Sequence, residues 1–575
     1  MTGNRATFVV LWRAFLSQFL ASESMSSDVQ LRRTIIWVLA FLLTPCLYLT
    51  AIVLPTFEIV RLVAAARHAP EMIEHMLAQL SVLYVSYSIV TTGLITVFVW
   101  DALSFDRRDA MVIGPLPLTG PAIIAAKLAA LVTFLLGTSL AVNLSAGVPY
   151  ALITGSPDGV AKIIRHLIGY LAGTIGGAVF IFSTIVAARG LMLLAGGARV
   201  ASSVGSLLQF LFVSAVLCFV LVPAAMGKTQ PVFLAATAAG WMPTNWYFGL
   251  FEWLRGSERP EVRVLASRAL IALPVAVGAA VAVTILGFWR QMQSALAPQE
   301  PSGFYPVFQV RRAIGTLIVR RDVIARGILD FILITLGRNG EQRAYIGIGA
   351  AIAVGVISVA LSRRFDNLES LMQPRTIVLW MPLVFGYWIA IGFRASFFVP
   401  SELPASWSFY ANAAARRSSY WSAVRASMIA VVLLPAIAVN AMLVAPLVGL
   451  RVASQHTLVV AAVLVLTTEL LAVTVKFIPY TRVYEPGHAK LRTRWPLYVT
   501  GMFLVAYLPV RFELALLANG SSLLWVAATA AVGIIAAEIV GHRTALTWII
   551  EAVEVEDADA ATVLNIGNVS RAAPL

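Results

Sequence analysis

The chain has 575 residues, of which 59% are hydrophobic and only 12% are charged, and its mean hydropathy is +0.85. Because soluble domains carry about 25% charged residues, this composition excludes a soluble globular enzyme and indicates a protein of the lipid bilayer. The formal net charge of +14 does not point to nucleic acid as a partner, since the excess Arg lies in short loops between apolar runs and sets membrane orientation.

The apolar runs predict an all-α polytopic membrane protein, because each run approaches the roughly 20 residues that a spanning helix needs. Barrel strands would be shorter and would alternate in polarity. About twelve spans are predicted, and the eleventh is short for a span. They cover residues 35–57, 80–100, 124–148, 167–188, 203–226, 266–289, 345–361, 376–393, 426–449, 457–476, 497–510 and 521–541.

The orientation follows from the flanking Lys and Arg residues. With a cytoplasmic N-terminus, the inner segments hold about twice as many basic residues as the outer ones. The sequence therefore predicts both termini in the cytoplasm. Three residues oppose this assignment, because Arg363, Arg364 and Arg375 fall in a predicted outer loop.

The chain also divides into two halves of similar layout near the Pro-rich segment 297–303. Each half begins with an Arg-bearing amphipathic stretch, at 11–16 and 317–333, that suits a helix lying in the membrane interface. Transporters are commonly built from such repeats, with the pathway between them, although any twelve-span chain can be cut into six and six. The predicted domains are an N-terminal segment 1–34, a six-helix half 35–296, a cytoplasmic linker 297–344, a six-helix half 345–541 and a cytoplasmic tail 542–575.

A polar segment from Asp101 to Lys127 separates the second and third predicted spans. Its carboxylates and arginines cannot lie in hydrocarbon, so they mark the inner edge of the membrane. Pro115-Leu-Pro117 predicts an extended turn. A short helix is then expected from about Pro121, with Lys127 reaching back to the interface. Together these features predict a rigid knuckle on the cytoplasmic face.

This pattern resembles the permease subunits of ABC-2-type ATP-binding-cassette exporters of bacterial inner membranes, in which an acidic residue, a Pro-containing turn and a Lys recur between the second and third helices. The resemblance implies that Asp109, Pro115, Pro117 and Lys127 couple the permease to a separate ATPase subunit, and that the N-terminal amphipathic stretch is the elbow helix. The aromatic segment 241–253 is similar to the outer segment before the sixth helix of some members.

The second half resembles a group of bacterial exporters only at 397–404 and 480–487. Family members usually carry one six-helix set and dimerise, whereas this chain carries about twice that, so one chain would supply both halves of the pathway. The position of the second coupling loop then holds Glu402, Pro404, Arg416 and Arg417.

The sequence contains no G-x-x-x-x-G-K-[ST] motif, so ATP would be used by the partner subunit and not by this chain. Neither a metal-binding cluster nor a catalytic motif is apparent, and we expect no bound cofactor and no enzymatic activity.

Four polar residues inside spans are candidates for the pathway, and they are Asn143, Asn440, Glu469 and Glu538. An ionisable residue within a span costs about 2.5–3.5 kcal/mol on insertion scales, so each is a functional candidate. Glu538 is expected to reach Arg543 or water. The structural alternative is that Glu469 pairs with Ser or Thr hydroxyls and that the Asn residues join helices.

Glu469 also keeps open a second function, that of a secondary transporter driven by protons or sodium. A membrane-embedded enzyme or scaffold is the third class, and the lack of clustered catalytic side chains disfavours it. The transported substrate is not indicated by any motif.

Overall fold

The computed structural model describes residues 2–20, 50–51, 55–103, 105, 107–155, 159–226, 240, 242–296, 305–319, 322–362, 376–401, 417–475, 477–481, 491–518 and 524–545. The regular elements in this part of the chain are helices, and it contains no strands. This confirms the all-α prediction. Helices satisfy their backbone hydrogen bonds internally, as an apolar chain in lipid requires.

The helices are α1 (Thr2–Leu20), α2 (Glu71–Phe98), α3 (Arg107–Ile113), α4 (Gly120–Gly155), α5 (Val160–Met226), α6 (Pro243–Arg255), α7 (Pro260–Leu296), α8 (Tyr305–Val319), α9 (Val323–Arg338), α10 (Gly340–Ser362), α11 (Thr376–Ser396), α12 (Arg417–Val439), α13 (Ala445–Val448), α14 (Leu450–Val473), α15 (Leu491–Ala518) and α16 (Leu524–Ala545). A 3-10 turn (Trp100–Leu103) follows α2, and a π-helical turn (Asn440–Val444) joins α12 to α13.

Among the described residues, 10 helices are long and apolar enough to cross a membrane, so the chain is a multi-pass membrane protein. They coincide with ten of the twelve predicted spans, including the short eleventh, which extends to Pro496–Ala518. The predicted first span, 35–57, lies largely outside the described residues. The count of twelve and the orientation of the termini stay predictions.

Helical structure continues through the predicted loop between the fourth and fifth spans, because α5 is assigned over 67 residues. The chain nevertheless turns within this stretch. A Cβ on Gly205 would lie 3.7 Å from Met192 Cε, whereas a straight helix would place these residues about 20 Å apart. Residues 189–202 contain Gly and Arg but no Pro. An interior Gly costs a helix about 1 kcal/mol, which neighbouring Ala and Leu residues offset, whereas Pro would have ended it.

The chain forms two compact units. Unit 1 comprises Met1–Ser302 and Ala350–Ser370, and unit 2 comprises Gly303–Gly349 and Leu371–Leu575. Helix α10 therefore has residues in both units. The predicted linker at 297–303 lies outside the described residues, and the division into two six-helix halves stays a prediction.

Unit 1 is built around α5, which packs against α2, α4, α6 and α7. Small residues permit the close approach, as is usual between membrane helices. A Cβ on Gly169 would lie 2.8 Å from the carbonyl oxygen of Phe251 on α6. One buried aromatic cluster contains Phe15, Phe105 and Phe288, and a second contains tyrosines of α2, α4, α5 and α6.

Unit 2 is built around α11 and α12, which pack against each other and against α14. The predicted amphipathic stretch 317–333 is not one helix. It spans the end of α8 and most of α9, and Asp322 caps α9 by accepting hydrogen bonds from the backbone N–H groups of Ile324 and Ala325 at 3.0 and 3.1 Å. An Asp at this position satisfies donors that have no partner inside the helix.

Candidate functional site

Asp109 and Lys127 form an ion pair in the interior of unit 1. Asp109 lies in the first turn of α3 and Lys127 in the third turn of α4, and their Oδ2 and Nζ atoms are 3.7 Å apart. The side chains are 4% and 1% exposed. The structure therefore brings together two residues that the sequence placed in one candidate site.

The Lys127 side chain is buried inside the protein, and its expected position at the membrane interface stays a prediction. Its ammonium group lies 4.7 Å from the ring centroid of Phe15 on α1 and 5.4 Å from that of Phe105. The faces of the two rings attract the ammonium group. The carboxylate of Asp109 offsets the remaining free-energy cost of burying the charge of Lys127. Lys127 thus holds α1, α3 and α4 together.

Pro115 and Pro117 lie in an exposed turn above this pair. Met111, Val112 and Leu116 of the same segment are exposed by 49%, 66% and 48%. We call residues 111–117 the tip. These three apolar side chains face outward, whereas Ile113 of the tip and Ala110 before it are buried, so the outer face of the tip is a surface that a partner can cover.

The tip has a defined backbone. The N–H of Gly114 donates to the carbonyl of Ala110 at 3.1 Å, and the N–H of Leu116 donates to that of Ile113, also at 3.1 Å. A Cβ on Gly114 would lie 2.4 Å from the oxygen of Ala110, so the turn requires glycine here. The predicted short helix at Pro121 is not separate, because α4 begins at Gly120 and continues for 36 residues. Pro121 is tolerated in the first turn, where its missing N–H has no intrahelical acceptor.

The second predicted coupling loop is not tested by the structure. Glu402, Pro404 and Arg416 lie outside the described residues, and Arg417 is the first residue of α12.

Asn143 and Asn440 are buried and join neighbouring helices. Asn143 donates from Nδ2 to Ser88 Oγ on α2 at 2.9 Å and to the carbonyl of Ser139 at 2.8 Å. Asn440 donates to the carbonyl of Ala453 at 2.9 Å and to Thr457 Oγ1 at 2.8 Å, both on α14. The structural alternative for these two residues accounts for their contacts.

The carboxylates of Glu469 and Glu538 both bind the guanidinium group of Arg425. Arg425 of α12 donates from Nε to Glu469 Oε1 on α14, and from Nη1 to Glu538 Oε1 on α16 at 2.8 Å. Glu469 is fully buried, whereas the Glu538 side chain is 39% exposed. The expectation that Glu469 pairs with hydroxyls is therefore wrong, because its Oε1 atom accepts from Arg425. Glu538 was expected to reach Arg543 or water. It binds Arg425, and its exposed fraction of 39% agrees with contact to water.

The sequence analysis did not identify Arg425 as a functional candidate. Arg425 directly precedes the predicted span 426–449, but α12 begins at Arg417, so Arg425 lies inside the helix. Its guanidinium lies 5.8 Å from the ring centroid of Trp421, one turn earlier. A Trp four residues before an Arg is the signal that was available.

A further buried ion pair that the sequence did not reveal lies on α6 of unit 1. Arg255 contacts Glu252 at 2.5 Å and Glu74 at 3.2 Å, and Ser81 Oγ donates to Glu252 Oε1 at 2.5 Å. Burial raises the pKa of the Glu252 carboxyl, and the neighbouring Arg255 and Ser81 oppose that rise. The i, i+3 spacing of Glu252 and Arg255 was the only local signal.

His456 and Glu513 form a second missed pair, in unit 2. His456 Nδ1 lies 2.8 Å from Glu513 Oε2, and both side chains are 0% exposed. His456 directly precedes the predicted span 457–476, and it lies in the second turn of α14.

The described residues contain no group of three or more His, Cys, Asp or Glu side chains that could hold a metal ion. Comparisons with protein families, with curated proteins and with solved structures gave no match.

Proposed function

We propose that this chain is the membrane-spanning permease of an ATP-driven exporter of the ABC-2 type, working in the bacterial cytoplasmic membrane with separate ATPase subunits. The observation that carries the proposal is the tip of unit 1, an exposed apolar turn fixed to the membrane helices by the buried Asp109–Lys127 pair. The multi-pass helical architecture supports it.

The tip has the properties that force transmission requires. It is short, its backbone is closed by its own hydrogen bonds, and its base is the ion pair between α3 and α4. Lys127 is also covered by Phe15 of α1, the helix expected to lie in the interface. A displacement of the tip would therefore move α1 and α4 together, because packed elements move as units.

Within this proposal the coupling residues divide into two kinds. Met111, Val112, Leu116 and the two prolines would contact the ATPase. Asp109 and Lys127 are buried, so they are positioning residues that act through the tip. The ATPase must be another polypeptide, since this sequence has no P-loop motif.

The test is retention of an ATPase by the affinity-tagged chain purified from its native membranes in mild detergent. Val112→Glu places a charge on the tip, and we expect it to lower copurifying ATP hydrolysis by at least about tenfold, since burying an unpaired charge costs several kcal/mol. Val160→Glu is the matched control. Val160 is 70% exposed, against 66% for Val112, and follows the opposite end of α4.

Equal ATP hydrolysis in the two variants, or none with the unaltered chain, would contradict the docking proposal. Loss of ATP hydrolysis in Val160→Glu alone would place the ATPase at the other end of α4 and contradict it as well.

One observation favours a secondary transporter as the second candidate. Arg425 faces two carboxylates, so the cluster is one negative charge in excess when both are ionised, and Glu469 Oε2 has no hydrogen-bond partner among the described residues. A proton or a sodium ion would neutralise it. Loss of transport in Glu469→Gln with copurifying ATP hydrolysis unchanged would favour this candidate, and unchanged transport would exclude it.

A further inference from the structure

The paired helices α8 and α9 of unit 2 are rich in arginine. Residues 305–343 contain seven arginines and three acidic residues, so this part of the chain has four positive charges in excess. The two acidic residues nearest the arginines are already engaged, since Asp330 accepts from Arg312 at 2.8 Å and Asp322 caps α9. The two helices therefore retain an excess of positive charge.

These helices lie at one edge of the membrane, because the ends of three spanning helices meet beside α9. Helix α10 begins directly after α9, and at its start Gln342 Nε2 donates to the carbonyl of Val399, just beyond the end of α11, at 3.3 Å. The ring centroid of Phe331 on α9 lies 6.4 Å from that of Tyr480, which follows the end of α14. The arginines of α8 and α9 are therefore placed where lipid headgroups lie.

Helix α8 turns an apolar face away from the protein. Val310 and Leu317 are seven residues apart, which puts them on one face of the helix, and they are 46% and 79% exposed. Gly315 and Val319 occupy the opposite face and are buried. A Cβ on Gly315 would lie 2.6 Å from Leu329 Cδ2 of α9, so this opposite face is packed closely. The exposed apolar face suits contact with acyl chains at the membrane interface.

Arg311 lies beside this apolar face and lacks an opposite charge. It follows Val310 and is partly buried, its Nε–H has no hydrogen-bond partner, and no carboxylate in the described part of the chain pairs with it. Burial lowers the pKa of the Arg311 guanidinium, but arginine stays charged in proteins. By contrast, Lys127, Arg255 and Arg425 each pair with a carboxylate. An anion from outside the chain would supply the charge that Arg311 lacks.

We propose that α8 and α9 bind an anionic phospholipid, with its phosphate at Arg311 and an acyl chain along the face of Val310 and Leu317. A guanidinium donates two parallel hydrogen bonds to phosphate oxygens, which fixes the headgroup. The net negative charge of the lipid offsets the charge excess of the two helices, whereas a zwitterionic lipid brings no net charge. The site is separate from the tip and does not depend on the docking proposal.

The test is native mass spectrometry of the purified, delipidated full-length chain, with phosphatidylglycerol as the probe. We expect Arg311→Gln to raise the Kd of the first phosphatidylglycerol bound by at least about tenfold, because a bidentate charged contact is lost. Arg338→Gln is the matched control, since it removes the same charge from an exposed position in the last turn of α9. It should change that Kd by less than about twofold, because exposed charges contribute little.

Two further probes separate the lipid from its parts. Phosphatidylethanolamine carries the phosphate and acyl chains without net charge, and inorganic phosphate carries the charge without acyl chains. Both should bind the unaltered chain at least about tenfold more weakly than phosphatidylglycerol, since each lacks one of the two contacts. Inorganic phosphate binding as tightly as phosphatidylglycerol would show a site for a free anion and overturn the proposal, and equal affinity for the two lipids would overturn it as well.

An unchanged Kd in Arg311→Gln, or the same increase in Arg311→Gln and Arg338→Gln, would also overturn the proposal, because the second result shows only a diffuse attraction to basic surface. If Arg311→Gln does not fold, Leu317→Glu replaces it and should weaken phosphatidylglycerol binding by placing a like charge on the acyl-chain face. Leu450→Glu is its control, since Leu450 is 81% exposed against 79% for Leu317 and lies at the start of α14, the end remote from α9. Equal binding of phosphatidylglycerol by these two variants would contradict the site.

Discussion

Units 1 and 2 each place a cation that pairs with carboxylates near the start of a long helix, but the partners of the two cations differ. Lys127 is the eighth residue of α4 and Arg425 the ninth of α12. Lys127 pairs with Asp109 on the short helix that directly precedes α4, whereas Arg425 pairs with carboxylates on α14 and α16. The first cation therefore shapes a local turn, and the second ties together three membrane helices.

The similarity extends to the amide that follows. Asn143 lies sixteen residues after Lys127, and Asn440 lies fifteen residues after Arg425. Each donates to a neighbouring helix. The two units thus each carry a cation followed after a similar number of residues by an amide. The units differ in the partner of the cation. In unit 1 the partner lies on the short helix next to the exposed tip, and in unit 2 the partners lie on two other membrane helices.

The largest effect is expected at Arg425. Arg425→Met leaves the fully buried Glu469 without its cation, and we expect the free energy of unfolding to fall by about 3–5 kcal/mol. Thermal unfolding in detergent measures this. Arg451→Met is the control, because Arg451 is exposed on α14. A comparable loss of stability in Arg451→Met would show that the effect does not depend on the ion pairs of Arg425 with Glu469 and Glu538.

A smaller effect is expected at Lys127, whose ion pair among the described residues is with Asp109. Lys127→Met should lower the free energy of unfolding by about 3 kcal/mol, because the buried carboxylate of Asp109 loses its ion pair with Lys127. The double variant Lys127→Met with Asp109→Leu should recover most of that loss, since apolar replacement of a whole buried pair is often neutral. Additive losses in the thermal unfolding of the three variants would show that the two residues do not act as a pair.

The smallest effects are expected at the two amides. Asn143→Ala and Asn440→Ala should each lower stability by about 0.6–1.7 kcal/mol, the range measured for hydrogen bonds between membrane helices. Denaturation of the two variants side by side tests whether the units use their amides equally. If only one variant loses stability, the two amides do not have equivalent roles, and the similarity between the units is restricted to their cations.

Much of the fold was predictable from the sequence, because hydrophobic run length alone locates membrane helices. Helix ends were harder. Helical structure continues through 189–202, where Gly and Arg predicted a loop, because neither residue type by itself ends a helix.

The candidate site was predicted in part. Asp109 and Lys127 lie close in sequence, so their proximity follows from a local motif. Arg425, Glu469 and Glu538 come from three helices, and His456 and Glu513 from two. Contacts between side chains of different helices depend on which helices pack together and on how each helix is rotated about its own axis. Hydropathy carries no information about either.

The π-helical turn at Asn440–Val444 makes this point of unit 2 tolerant of a deletion that regular helix would not accept. Its wider turn is closed by the N–H of Ala445 donating to the carbonyl of Asn440, and it holds one residue more than an α-helical turn. Deleting one residue there would let α12 continue as a regular helix with its flanking faces in register, because the wide turn already absorbs the extra residue. The same deletion within the regular part of α12 would rotate the residues on one side of it by about 100° relative to the other side. The length of the chain is therefore less constrained at this turn than in the helix before it.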